Sequence, residues 1–559
     1  MKKSLIFPAL LVMMPATLMA QTALSAYSLS QGDLRGTARY MSMGGAFTAL
    51  GGDITSLNQN PAGIGVYRSS DISATLDITM HNAQSGGQSA KHTSVNCNNF
   101  GYIGTAYLGS GSAMPFFNWG FSYSRVASFD RRYHGSLGNI GSSLTNYIAD
   151  YTQADGYMPN ELTAFQPGYN PYLDSQAPWM SILAFNTYGI NSATAEQADY
   201  KGLWYYDAST GTAEYEIEEK GHIDEYSINF GGNIQDVVYW GIGIGIDDID
   251  FKQTAYYGEQ IDNAIVPSAD ATSIASGTAS YGLNNWRHIY GSGFNFKFGL
   301  IVKPINEFRI GFAIHTPTYY NLTYEGVGAV GYNYTSSSYP AGAAISSDDK
   351  NVIADRTNYT DYGYLDSFDW KLRSPWRMMI GAAGVIGGKA ILSAEYEYRP
   401  YPSMKVKDGD GYDYADINSD VKTYYQNVNI LRLGAEYRLS NSVSIRGGYS
   451  YESSPVTAAT MDGNEPIYTS GTDDTLTQPA FSLDRSTQYV TCGIGWHYKN
   501  FYADAAYVHR YRRSKYQAYT NYQENIPDAV TGQTYWVTAP STLVTQNDNS
   551  IVLTIGLRF

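Results

Sequence analysis

Cysteine is almost missing from this chain. Its two cysteines in 559 residues, Cys97 and Cys492, cannot staple a fold of this size. They lie far apart, and Cys492 sits between Val490 and Ile494 on one face of an alternating segment, which argues against a disulfide. Positive charge is scarce as well. There are 36 Lys and Arg against 51 Asp and Glu, a formal net charge of −15, so no basic footprint for nucleic acid is expected. The eight histidines are scattered over 81, 92, 134, 222, 288, 315, 497 and 509. No His-x-x-x-His, Cys-x-x-Cys, P-loop or dinucleotide fingerprint occurs. The expectation is therefore no enzyme, no cofactor and no metal. Asp408, Asp410 and Asp413 are spaced carboxylates, but they do not complete an EF-hand loop and read as a solvated acidic loop. Beyond residue 20 there is no run of about 18 apolar residues. With a mean hydropathy of −0.31, the plain reading is a secreted soluble protein.

What is present overturns that reading. Lys2 and Lys3 precede an apolar run from Leu5 to Leu11, small and apolar residues follow at Ala16 to Ala20, and Gln21 is polar. Residues 1–20 read as a secretory signal peptide, cut near Ala20. Losing its two lysines takes the net charge from −15 to −17. Tyr and Gly are abundant, at 52 and 56, while charged residues make up 16%. Tyr suits the interfacial girdles of a membrane barrel, and Gly suits crowded, twisted strands. The last residues place Ile551, Leu553, Ile555, Leu557 and Phe559 in strict alternation. A barrel-closing strand with lipid outside and a terminal ring at the interface has this pattern.

The same period-two pattern recurs near 70–79, 97–108, 117–127, 222–233, 238–248, 288–302, 307–320, 366–386, 389–399, 428–439, 442–452, 487–498, 501–511 and 550–559. Short connections (109–116, 234–237, 303–306, 387–388, 440–441, 499–500) alternate with long ones (80–96, 128–221, 249–287, 321–365, 400–427, 453–486, 512–549). Long extracellular loops and short periplasmic turns are the rhythm of outer-membrane barrels. The expected fold is all-β: a 14-stranded antiparallel transmembrane barrel spanning 69–559, in the outer membrane of a Gram-negative bacterium. The 128–221 connection is too long to lack elements of its own. The eighth strand is long and holds Pro375, so part of it should bend or project above the membrane.

Residues 21–68 read as short helical turns and glycine corners too small to fold alone. A fourteen-stranded bore is wide enough to need filling, so this segment is expected to tuck inside. Gly44-Gly45-Ala46, then Asp53, then Asn60-Pro61-Ala62-Gly63 just before the first strand resembles the FadL/TodX family. Those proteins are outer-membrane transporters of long-chain fatty acids and aromatic hydrocarbons. Ser374-Pro375-Trp376-Arg377 is similar to a Pro-Trp-Arg pattern of that family. The resemblance implies an N-terminal hatch that plugs the lumen, with Asn60, Pro61, Ala62 and Gly63 in it, and lateral release into the membrane after the hatch shifts. The long 128–221 connection and the Tyr-rich outer loops depart from the family and leave the substrate open.

Alternation turns Glu395, Glu397, Arg399, Arg432, Glu436, Arg438 and Arg446 inward, with Arg377, Asp504 and Arg558 on other strands. An ion-pair ladder bracing the bore is one reading. The other is that Arg377, Arg432, Arg438 or Arg446 meets a substrate carboxylate. Three functions fit: hatch-gated passive uptake of hydrophobic molecules, a general porin for polar solutes, and a surface adhesin. The expected partners are a hydrophobic small molecule, outer-membrane lipids and the barrel assembly machinery, with the chain a monomer.

Overall fold

A strand in lipid must satisfy every backbone group within the protein, so alternating segments are stable there only in a closed ring. The computed structural model describes residues 23–109, 111–163, 168–192, 196–206, 208–267, 274–336, 352–360, 366–467, 477–525 and 533–559; the expected signal peptide lies outside them. Fourteen wall strands form the ring: β1 (Asp71–Ser85), β2 (Gln88–Tyr107), β3 (Phe116–Ser128), β4 (Thr210–Ile234), β5 (Val238–Pro267), β6 (Ile274–Ile305), β7 (Phe308–His315), β8 (Arg377–Ile386), β9 (Ala390–Pro400), β10 (Asn427–Arg438), β11 (Val443–Glu452), β12 (Phe481–Tyr498), β13 (Phe501–Gln517) and β14 (Ser541–Arg558). Each pairs antiparallel with the next, and β14 closes on β1 from Asp71↔Arg558 to Gln84↔Thr545.

The outward side chains form an apolar belt. Ile242, Ile244, Ile246, Phe294, Phe296, Phe298, Ile551, Leu553, Ile555 and Leu557 are each 43–59% exposed, while their in-chain neighbours face inward and are buried. Such a face is tolerable only against lipid. The chain is a transmembrane barrel of the outer-membrane type. Cys97 and Cys492 are free and exposed.

Three expected loops are largely strand. Residues 80–96 are a hairpin turning at Gly86-Gly87, whose φ values of 51° and 77° suit the tight two-residue turn that matches strand twist. Within 249–287, β5 runs to Pro267 and β6 starts at Ile274. Within 321–365, strands Tyr319–Ser336 and Val352–Tyr359 pair with each other. A membrane crossing needs about ten residues, whereas β5 and β6 have 30 and 32. Their surplus stands above the membrane. The apolar alternation stops where lipid stops, but the backbone ladder continues.

This extension carries a cap. Helices Leu144–Ala154 and Trp179–Asn186 pack with the upper reaches of β4, β5, β6 and β13 in one apolar cluster. Tyr200, Tyr215, Tyr281, Tyr332, Tyr516 and Tyr519 are fully buried, and Tyr215 stacks on Tyr516 with ring centroids 4.0 Å apart. Many tyrosines thus build the cap, where the expectation placed them in interfacial girdles. A core outside the membrane rewards rings that bury area and still satisfy a hydroxyl.

Two neighbouring strands break at one level. After β7 the chain passes Thr316–Thr318 and resumes at Tyr319; the partner strand Asp366–Arg373 is separated from β8 by Ser374–Trp376. The irregularity expected at Pro375 is a full break, and a matching one at Pro317 accompanies it. Proline removes a ladder donor and interrupts the pairing, and hydroxyl oxygens receive neighbouring main-chain amides there. Thr316 Oγ1 accepts from Phe296 N at 3.0 Å, and Ser374 Oγ accepts from Thr318 N at 2.8 Å.

Glu259, high on β5, ties the cap to the wall. Its carboxylate accepts from Ser143 Oγ at 2.5 Å, Leu144 N at 2.8 Å and Tyr257 OH at 2.8 Å, anchoring the start of the Leu144–Ala154 helix. Burial nevertheless pushes its pKa up to about 7. A carboxyl raised in the folded state stabilises that state below its unfolded pKa, and the contribution is lost as pH rises through 7. The cap should therefore weaken from pH 4.5 to 7.5, by on the order of 3 kcal/mol. Limited proteolysis of the cap against pH measures this; Glu259→Gln should flatten the profile, and an unchanged slope would refute the assignment.

Candidate functional site: a filled bore between two chambers

The N-terminal segment is short of regular structure, so its polar groups need explicit partners. Thr37 caps helix Ala38–Ser42 through Tyr40 N at 3.1 Å and donates to Asp53 Oδ2 at 2.8 Å. Asn60 caps the 3₁₀ turn Pro61–Val66: its Oδ1 accepts from Ala62 N at 3.0 Å, and its Nδ2 donates to Thr48 O at 2.6 Å. Pro61 holds the first position of that turn, where a missing N–H costs nothing. All of Asn60, Pro61, Ala62 and Gly63 are buried.

The barrel wall holds this segment from several sides. Glu395 of β9 accepts from Phe47 N at 3.1 Å, Thr48 N at 2.9 Å and the Gln59 amide. Thr554 of β14 accepts from Ala38 N at 2.7 Å. Asn118 of β3 donates to Ile64 O at 2.7 Å. On β7, His315 Nε2 meets Gln59 O at 2.9 Å, and Arg309 donates to Leu50 O at 2.9 Å. The approach is close enough to demand glycine. A Cβ on Gly299 would collide with Asn60 Oδ1, and one on Gly241 with the Pro61 carbonyl.

Of the four arginines singled out from the sequence, three sit on carboxylates. Arg377 Nε lies 2.7 Å from Glu397, which also takes Arg399 at 2.6 Å and Arg432 at 2.7 Å. Arg432 pairs with Glu395 at 2.6 Å. Arg446 bridges Glu436 at 2.7 Å and Asp504 at 2.5 Å, and Arg39 of the N-terminal segment joins Glu436 at 3.1 Å. This is the bracing geometry. Arg438 stands apart, exposed at the short-turn end.

Above the segment lies a chamber that strand alternation in the membrane belt does not reveal, because Arg131 and Arg287 fall in stretches expected to be loops. Leu24, Tyr27 and Gln31 form its floor, and Phe129, Phe251 and Phe481 line its sides. Arg131 donates to Ser514 Oγ at 2.6 Å, with its nearest carboxylates only at 4.0 Å. Arg287 lies over the Phe251 ring at 5.3 Å, and its Nε is buried without an acceptor. Among the described residues it has no ion pair, and burial lowers its pKa from the ordinary arginine value. Continuing the strand alternation past the apolar belt would have turned Arg287 inward; Arg131 reaches the interior only through the register shift between Arg125 and Ala127, which alternation does not show. Below the segment, two adjoining cavities of about 300 and 390 Å³ open at the periplasmic end. Inward glycines were the other missed signal: small residues opposite a segment that must fit.

Gly299→Val should push the Asn60 turn off the wall while the ring stays paired. Hydrogen exchange should rise across residues 47–64 and stay low in β5 and β6. Unchanged exchange in 47–64 would show that the contact does not seat the segment.

No family model matches the chain, and no curated protein matches its sequence. Solved structures are similar over nearly its whole length. A Pseudomonas aeruginosa FadL homologue superposes with a TM-score of 0.47 at 12% identity, covering 94% of this chain and 99% of that one. The Pseudomonas putida toluene transporter TodX gives 0.42 at 11%, covering 95% and 100%. The CymD monoaromatic hydrocarbon channel gives 0.40 at 10%, covering 95% and 99%.

Proposed function

We propose that this chain is an outer-membrane channel for passive uptake of hydrophobic small molecules, with residues 21–68 as a hatch that closes the bore. The observation that carries this reading is the upper chamber. It has aromatic walls, an N-terminal floor and a buried guanidinium with no carboxylate of its own. Apolar walls reward a molecule that leaves water. An unpaired arginine rewards an oxyanion, which it grips through two parallel N–H donors. Together they favour an acyl chain ending in a carboxylate over an uncharged aromatic hydrocarbon. The chamber holds only about 80 Å³ of free space, too little for an acyl chain. Entry therefore requires its floor to move, and the floor is the hatch. Each hatch-to-wall hydrogen bond is individually modest in net worth, about 1 kcal/mol, so a shift breaks a few contacts without melting the barrel. A porin for polar solutes would need a clear bore instead.

Planar bilayers test the hatch. The intact protein should conduct ions poorly, and deletion of residues 24–55 should conduct far better while remaining a heat-modifiable barrel. Large, stable conductance from the intact protein would reject hatch gating. Oleate binding tests the chamber. Arg287→Gln should weaken it about tenfold, in line with about 1.5–3 kcal/mol for a hydrogen bond to a charged group, and should leave toluene binding unchanged. Equal loss for both ligands would mean that Arg287 merely shapes the cavity.

A further inference from the structure

Many guanidiniums of the inner wall have a carboxylate beside them, and Arg309 is one that does not. Arg432 faces Glu395 across the strand pair, and Arg446 faces Glu436. Arg309 on β7 faces Ala383 on β8. Its one hydrogen bond among the described residues runs from a terminal nitrogen to the Leu50 carbonyl, and its Nε is buried with no acceptor. A partly buried cation without an anion is costly, and one hydrogen bond to a carbonyl does not neutralise its charge.

The surroundings point the same way. Arg309 lines the larger periplasmic cavity, and Arg39 and Arg558 line both cavities. Arg39 and Arg558 are matched by Glu436 and Asp71. Arg438 and Lys499, at the rim of the neighbouring cavity, have no carboxylate partner among the described residues; Lys499 lies over the Tyr498 ring at 5.4 Å. The vestibule thus has cationic charge to spare. Beside Arg309 its wall is apolar, formed by Leu50, Val66, Ala383, Val385 and Ile391.

We propose that the periplasmic vestibule is a second binding site, in which Arg309 takes the oxyanion of an acyl-chain amphiphile whose chain lies against Leu50, Val66, Val385 and Ile391. The site is separated from the upper chamber by the whole N-terminal segment and does not depend on hatch gating. The same chemistry suits a carboxylate that has passed through the barrel and the phosphate of a lipid from the inner leaflet.

Equilibrium dialysis of the full-length protein in uncharged detergent tests the site, with decanoate, decanol, a lysophosphatidic acid and inorganic phosphate as probes. Decanoate should occupy two classes of site. Arg309→Gln should weaken one class about tenfold, and Arg287→Gln should weaken the other. Decanol should not respond to Arg309→Gln. If lysophosphatidic acid fills the Arg309 class more tightly than decanoate, the ligand is a membrane lipid; the reverse order assigns the transported acid; both support the site. Ala383→Glu provides a variant that does not remove a charge. It places a carboxylate opposite Arg309, within cross-strand reach, and should abolish that class of site without loss of heat-modifiability. Decanoate binding that ignores both variants, or inorganic phosphate bound as tightly as decanoate, would overturn the proposal. Failure of the bilayer experiment alone would leave this result standing, so the two readings fail separately.

Discussion

Everything in this molecule follows from the absence of hydrogen-bonding partners in hydrocarbon. A strand edge cannot be left open there, so β14 must return to β1, and fourteen strands set the width of the hole that results. That hole is too wide for wall side chains to meet across it. The N-terminal segment fills it, and its own backbone then needs partners in turn. Glu395 supplies several at once, to Phe47, Thr48 and Gln59, while Arg432 balances its charge. The ring calls for a filling segment, and that segment's close contacts call for a carboxylate and glycines on the inner wall.

The lipid-facing part of the fold was legible residue by residue, because each strand there repeats apolar and small or polar residues with period two. Ile242, Ile244 and Ile246 announce β5 without help. The same strand from Asp247 to Pro267 was missed because the contrast reverses above the belt, with Ile249, Phe251, Tyr257 and Ile261 buried inside and Asp248, Lys252 and Gln260 facing water. The cap was missed for a related reason: tyrosine is amphipathic and suits a membrane interface and a water-side core equally well. Inward charges could be placed by counting alternate residues, but their partners could not. Pairing needs the register between strands, which single-strand alternation leaves open.

The ionic lining also explains how so polar an interior survives. Glu397 gathers Arg377, Arg399 and Arg432, and removing such a hub would leave Arg377 and Arg399 without their carboxylate and Arg432 with Glu395 alone. The network is therefore better suited to fixing shape than to seizing a ligand. Arg287 above and Arg309 below stand outside it and carry the anion contacts proposed here.

The two proline interruptions have a mechanical meaning. Thr316–Thr318 and Ser374–Trp376 lie side by side on adjoining strands, and there main-chain amides are received partly by hydroxyl oxygens in place of main-chain carbonyls. A stitch that turns on a side-chain torsion yields more readily than a peptide ladder. The barrel is thus not a uniformly stiff hoop. It has a crease, and load placed on it from within concentrates along that line while the rest of the ring keeps its curvature.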